Sequence, residues 1–374
     1  MDNPFYQRIY DTALAGKTLG LEESIWILTS PEVDLPQLVA GAYRIRKRYF
    51  GKEVTVHILN NAQNGLCSED CRYCAQSSSS EALIAEYDLK EDKEILEEAR
   101  AAYEQGAFRY CLVFSGSGPS DERIGKLTGL IREIKRRLPI EVCVSPGVLS
   151  RPQALELKQA GLDRLNHNLN TSARYYGNIC TTHTYEDRLQ TLANARAVGL
   201  QVCSGVIIGM GEAPEDVVQM AIALRNFEAE SIPVNFLIPI PGIAIKEAKD
   251  LTPEYCLRVL CLFRFLNPAA EIRMAAGREI HLRSLEPLGF YVANSIFLQG
   301  YLNARGSSNA RTLQMIKDLG FQIKSERKLD ELLREAEDYG RPEGVKGLEE
   351  LRPFLAEKGS MDPGRPVLRK PNRH

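Results

Sequence analysis

A chain of 374 residues with 44% hydrophobic and 26% charged residues can bury a large core, as one barrel or two medium domains. A formal net charge of -2 and a pI near 6.3 set up no general field for nucleic acid or anionic lipid, so the expected partner is a small molecule, with no nucleic acid and no membrane. No basic-then-apolar start and no membrane-length apolar run is present, which predicts a cytoplasmic protein. Nine cysteines, an odd number with three clustered, read as metal chemistry in a reducing compartment rather than as a disulfide framework.

Residues 4–50 read as helices, with Phe5, Ile9 and Leu14, then Leu21, Ile25 and Leu28 near helical spacing, and a third pattern over 35–49. Residues 1–50 are therefore expected to form an N-terminal helical layer. From Val54 onward short β-branched runs alternate with amphipathic segments ended by glycine or proline. The strand candidates are 54–59, 109–114, 140–145, 164–169, 202–208, 233–238, 272–275 and 295–298. Helix candidates lie near 90–105, 121–138, 152–160, 185–198, 214–227, 253–266, 282–292 and 309–319. Eight strand-then-helix units predict an α/β fold, a (β/α)8 TIM-type barrel over 51–321, with a doubly wound open sheet as the competing arrangement. Residues 322–374 are expected to form a charged C-terminal helix, 329–338, and a flexible tail in which Arg365, Arg369, Lys370 and Arg373 face only Asp362.

The loop leaving the first strand candidate carries Cys67, Cys71 and Cys74, a Cys-x3-Cys-x2-Cys spacing that wraps three thiolates around one corner of an iron–sulfur cube. Three ligands leave one iron open, which is what separates a catalytic centre from a closed structural one. The spacing alone also fits a zinc site short of a ligand, or three unrelated thiols. Inside the strand runs, where a barrel points alternate residues into its lumen, stand Cys111, Cys143, Cys203 and Arg273. Each thiol taken singly fits a small buried hydrophobe, but a buried guanidinium needs an anionic neighbour, and a thiolate-bound cluster supplies one. Asn166, Asn168 and Asn170 share one strand face, suited to a ureido ring or to satisfying barrel backbone. Gly205, Ile207, Gly209 and Glu212 form a glycine-rich turn where backbone can approach a ligand closely.

The run Gly65-Leu66-Cys67-Ser68-Glu69-Asp70-Cys71-Arg72-Tyr73-Cys74-Ala75-Gln76-Ser77 closely resembles the biotin synthases among the radical S-adenosylmethionine (SAM) enzymes, and the resemblance extends over roughly 43–321. It implies a [4Fe-4S] cluster on Cys67, Cys71 and Cys74 whose open iron chelates SAM, and a [2Fe-2S] cluster on Cys111, Cys143, Cys203 and Arg273 that donates sulfur. SAM cleavage to a 5′-deoxyadenosyl radical would then start conversion of dethiobiotin to biotin. Residue by residue it implies Asn168 at both substrate and SAM, with Asn166 assisting. It places Tyr73, Asn170, Arg188, Gly205, Ile207, Gly209 and Glu212 around SAM, and Arg109, Asn235 and Ser295 on the substrate. Asn168 and Arg273 are its catalytic candidates. An electron donor of flavodoxin or ferredoxin type and a homodimer are further implications. The chain departs from the family pattern at Gln63-Asn64 and at Asn303-Ala304, where a Thr-Thr pair is commonly found for the substrate carboxylate. Cys180, Cys256 and Cys261 match no ligand position and are expected to be packing or incidental thiols. Another radical SAM barrel enzyme, a mutase or cofactor maturase, and a non-catalytic iron–sulfur protein are the alternatives.

Overall fold

The computed structural model describes residues 4–338. Three helices come first: α1 (Pro4–Leu14), α2 (Leu21–Thr29) and α3 (Leu35–Phe50). The Asp34 side chain accepts the Gln37 amide at the start of α3, and Gly51 ends it at φ 56, a left-handed turn that glycine adopts without strain. This layer packs on the helices Pro253–Leu266 and Glu286–Val292. Buried Arg46 ties it to the barrel by donating to the carbonyls of Gly51, Glu53 and Ala293.

Ten parallel strands follow: β1 (Glu53–Asn61), β2 (Arg109–Val113), β3 (Glu141–Ser145), β4 (Arg164–Asn166), β5 (Gln201–Cys203), β6 (Val206–Ile208), β7 (Ser231–Phe236), β8 (Glu271–Met274), β9 (Ser295–Leu298) and β10 (Gln322–Ile323). Neighbours run from β1 through β5, then β7, β8 and β9, and β9 pairs back with β1 from Thr55↔Ser295 to Ile58↔Leu298. That pairing closes the sheet, so the fold is the (β/α)8 barrel and the open sheet is excluded. β10 merely extends the start of β1.

The eight staves match the eight strand candidates, with the fifth in two pieces. β5 pairs Cys203 with Ser231, β6 pairs Val206 with Val234, and Ser204-Gly205 lies between them. In β7 the groups of Val234 and Phe236 bond toward β8, so by alternation position 233 faces the fifth stave, and proline has no N–H to offer there. A Cβ on Gly205 would stand 2.3 Å from the Pro233 carbonyl oxygen, so only glycine lets the two backbones meet.

The intervening helices start where capping side chains sit: Ser120, Ser150, Thr184, Thr252 and Ser308 each accept an amide of the first turn. The helix expected over 282–292 is instead two short pieces, Arg283–Leu285 and Glu286–Val292, preceded by a helical turn at Arg278–His281, because Arg283 takes φ 49 and Pro287 opens the last piece. The main apolar core fills the space between strands and helices, while Cys111, Cys143, Cys203, Ala275 and Phe297 make a separate cluster inside the lumen. No helix among the described residues is long and apolar enough to cross a membrane. The basic tail falls outside the described residues.

Candidate active site: two sets of thiols in one lumen

Strand parity sorts the lumen into layers. Arg109, Glu141, Arg164, Gln201 and Glu271 open their strands and point inward at the base, where they line a small cavity of ≈ 160 Å³. Two residues further along the same strands come Cys111, Cys143, Asn166, Cys203 and Arg273, on the same face by the period of two. Cys111 and Cys143 are direct register partners, and Cys203 is paired with Asn166. The Asn166 amide donates to Cys203 Sγ at 3.2 Å, and Arg273 Nη1 lies 3.9 Å from the same sulfur. Cys143 shares its thiol with both neighbours, which holds Cys111 and Cys203 below the ordinary thiol value and pushes Cys143 up.

Arg273 is held from every side. Its Nε donates to Ser295 Oγ at 3.0 Å, and its Nη2 to Ser231 Oγ at 2.8 Å and Glu271 Oε1 at 2.5 Å. Burial opposes its charge, but Glu271, followed by Cys203 and Cys111, more than offsets that and its pKa rises. The buried Glu271 carboxylate also meets His57 at 3.0 Å, Arg109 at 3.2 Å and Arg164 at 3.3 Å, and its pKa falls well below the usual range despite desolvation. The anionic neighbour expected for Arg273 is thus a carboxylate on its own strand as well as the thiols. Two expected substrate contacts lie outside the main cavity. Arg109 sits below the thiols in the ion network with Glu141 and Glu271, because it lies two residues nearer the strand's start than Cys111. Ser295 likewise opens β9 and is turned to Arg273, and neither residue lines the main cavity.

At the mouth, the loop after β1 turns at Gly65 (φ 75) and Leu66 (φ 52), and the Gly65 amide donates to Gln76 Oε1 at 3.1 Å, closing the loop on itself. Cys67, Cys71, Tyr73 and Cys74 face the same cavity of ≈ 450 Å³ that Cys111, Cys143, Cys203 and Arg273 line from below. Asn166, Asn168, Asn170, Arg188, Ile207 and Asn235 form its wall. Asn170, in a left-handed conformation (φ 67), donates to the Tyr73 hydroxyl at 2.6 Å. Arg188 donates to the Asn168 carbonyl at 3.0 Å and to the Tyr176 hydroxyl, and its Nη2 lies 2.6 Å from His183 Nε2. Asn168 Oδ1 accepts the Gly205 amide at 2.9 Å and Asn166 Nδ2 at 3.1 Å, so the amide ladder also bridges the break in the fifth stave. Asn235 joins the Val206 carbonyl to the Ala276 amide.

The glycine turn stands mostly behind the cavity wall. Only Ile207 of that group lines the cavity, while Glu212 accepts the amides of Gly209 and Met210 at 2.7 and 2.8 Å and so holds the turn. A Cβ on Gly209, at φ 96, would meet Leu251 at 2.6 Å, so the glycine serves packing. Cys256 and Cys261 are buried in the helix Pro253–Leu266, as expected of packing thiols. Cys180 is not incidental: its sulfur lies 3.8 Å from Cys71 Sγ and 3.1 Å from His183 Nδ1. The sequence reading also missed Glu271, His57 and Arg164. The available signal was the alternation Glu271-Ile272-Arg273, two opposite charges on one strand face.

The donor sets fit iron–sulfur groups. Both consist of free thiols facing one lumen, with Arg273 beside the set at the base. Burial pushes Cys74 up to about 11, so its thiolate needs the compensating charge that a metal provides. A closed parallel barrel with three such thiols on the loop after its first strand defines a radical SAM enzyme.

The sequence profile of the Radical SAM superfamily matches residues 64–224, and that of the Biotin and Thiamin Synthesis associated domain matches 233–322. A biotin synthase of Magnetococcus marinus is 54% identical over 313 residues, covering 84% of this chain and 98% of the relative. Biotin synthases of Acaryochloris marina and Rhodopirellula baltica are 50% and 43% identical over 84% and 85% of the chain, with 91% and 89% of their own lengths covered. The chain belongs to the biotin synthase family, whose cofactors are a [4Fe-4S] cluster, a [2Fe-2S] cluster and SAM. Among solved structures, methylornithine synthase superposes with a TM-score of 0.73 at 20% identity, covering 86% of this chain and 98% of that one. The FeFe-hydrogenase maturase HydG of Carboxydothermus hydrogenoformans gives 0.73 at 18% identity, over 87% of this chain and 80% of its own. These two show the shared fold.

Proposed function

We propose that the chain converts dethiobiotin to biotin, with SAM as co-substrate, inside the cavity that both thiol sets line. The single observation that carries this reading is that shared cavity. When bound, the [4Fe-4S] cluster on Cys67, Cys71 and Cys74 supplies the electron that cleaves SAM, and the [2Fe-2S] cluster on Cys111, Cys143, Cys203 and Arg273 supplies the inserted sulfur. The protein contributes orientation and water exclusion. Tyr73, Asn170 and Ile207 bind the nucleoside part of SAM, and Arg188 pairs with its carboxylate. Asn168 and Asn166 present amides to the ureido ring at the level where substrate and SAM meet, and Asn235 meets the substrate from the wall two staves further round. Arg273, locked by Glu271, Ser231 and Ser295, keeps its place at the base, with Arg109 as a further support through Glu271. Gly205, Gly209 and Glu212 shape the turn beside the SAM site. Phe297 and Leu59 close the lumen with apolar surface that carries no water-binding group.

An electron donor of flavodoxin or ferredoxin type, docking near the loop at the mouth, completes the reading. A homodimer in the cytoplasm, built of a helical layer 1–50, a barrel 51–321 and a C-terminal part 322–374, belongs to it as well. Anaerobic iron analysis tests the core of it. Roughly six irons per chain are expected, four plus two from the two cluster types, falling by about two in Cys143→Ala. That variant is expected to keep SAM cleavage and lose biotin formation. Biotin formation by Cys143→Ala, or a wild-type count of only about four irons, overturns the proposal.

A further inference from the structure

Beside the loop thiols lies a second ligand set, which shares Cys71 with them and adds two residues that the reaction does not use. Cys71 Sγ, Cys180 Sγ and a ring nitrogen of His183 all lie within 4.8 Å of one another, with both sulfurs buried. Cys180 and His183 sit on the turn between the short helix Tyr176–Asn178 and the helix Tyr185–Ala197. That turn is stitched to the cluster loop by the protein alone. Asp70 Oδ1 accepts the amides of Thr181 at 2.9 Å and Thr182 at 3.2 Å, and the Arg72 amide donates to the Ile179 carbonyl at 2.9 Å. Glu69 Oε2 lies 2.7 Å from His183 Nδ1, which is also the ring nitrogen nearer Cys180 Sγ, so a metal bound at Nδ1 takes the place of that contact. Two thiols and one imidazole, pre-positioned and with Cys71 and His183 facing the main cavity, are the donor set of zinc-class ions.

We propose that Cys71, Cys180 and His183 form a divalent-metal site of the zinc class in the cluster-free chain. Binding takes up one M2+ and releases whatever protons the two thiols still carry, leaving two metal–thiolate bonds and one imidazole bond, with no change of oxidation state. Because both draw on the Cys71 sulfur, this site and the loop's iron–sulfur cluster compete for one ligand and exclude each other. The exclusion rests on the reading of Cys67, Cys71 and Cys74 as the cluster ligands; the metal site itself does not.

The test is an anaerobic titration of the full cluster-free chain with Co2+ as the probe. The expected result is one Co2+ per chain, with thiolate-to-metal charge-transfer and tetrahedral ligand-field absorption. Affinity should drop at least ~10-fold in Cys180→Ala and fall likewise in His183→Gln, and stay unchanged in Cys67→Ala. Cys180→Ser, nearly isosteric, controls for folding and should weaken binding as Cys180→Ala does. Binding that survives Cys180→Ala and is lost in Cys67→Ala places the ion on the loop triad and overturns the site. Wild-type protein already reconstituted with iron and sulfide should bind Co2+ at least ~10-fold more weakly, and equal binding overturns the exclusion. Failure of the wild type to take up iron and sulfide at all counts against the functional reading instead, while the cobalt titration still decides the site. With Co2+ absent, Cys180→Ala should assemble its clusters and cleave SAM as the wild type does.

Discussion

The thiols at the mouth of the barrel come from one short loop, while those at its base come from three strands separated by whole helices. The loop set is held mainly by local contacts, the Gly65 turn and the Gln76 bond across the loop, with added pins to the distant turn at Thr181–Thr182. The base set has no local support at all. It exists because strand parity stacks it on a layer of buried charge, where one carboxylate, Glu271, gathers three arginines and a histidine. A site made by a loop is separable from its fold, and a site made by a barrel lumen is not.

The sharpest break in that comparison is at the loop. Cys74→Ala is expected to abolish SAM cleavage completely and leave roughly two irons per chain, with a melting curve close to wild type. A large loss of stability measured by denaturant titration would show the loop to be part of the core after all. Glu271→Ala should do the reverse. It strands buried Arg164 and Arg273 without a carboxylate counter-charge and leaves Arg109 with Glu141 alone, at a cost of about 3–5 kcal/mol read from urea unfolding, and it should deplete base iron before loop iron.

Gly205→Ala comes next. Its new methyl meets the Pro233 carbonyl oxygen, so β5 or β7 must move, at roughly 1–3 kcal/mol. Because the displaced strand carries Cys203 and the Gly205 amide anchors Asn168, biotin formation should fall further than SAM cleavage. The smallest effect concerns pH at the mouth. Burial lowers the pKa of His281, whose Nε2 donates to the Leu237 carbonyl at 2.8 Å. The unfolded chain then takes up the proton first. Stability is therefore full above the ordinary histidine value of about 6.5 and is lost as pH falls toward the folded value, by ~1.4 kcal/mol for each unit between them. His281→Gln should flatten that slope, seen as a melting temperature less sensitive to acidification, whereas Cys143→Ala should leave the slope unchanged.

Legibility followed the same division. The eight strand candidates were readable because β-branched runs and glycine or proline punctuation are local signals, and the cluster loop because its ligand spacing is. Arg273 was readable as a buried charge in need of a partner, but Glu271 was not, since the apolar strand run starts at Ile272 and the acid looked like part of the preceding loop. Arg109 and Ser295 carry the residue types of a substrate site. Their distance from the cavity depends on how far along each strand they sit relative to Cys111 and Phe297, which register sets. Cys180 looked like a packing thiol because nothing near it in the chain predicts that residues 179–183 fold against the cluster loop.

By itself the amino-acid sequence determined the succession of strands and helices, the local ligand loop and the family to which the chain belongs, because each is written in neighbouring residues. Tertiary structure alone decided which inward residues share a layer, that the base thiols stand over an ion network, and that Cys180 and His183 come to Cys71. Those contacts join distant residues through strand stagger and barrel closure, and neither quantity is encoded in any one stretch of the chain.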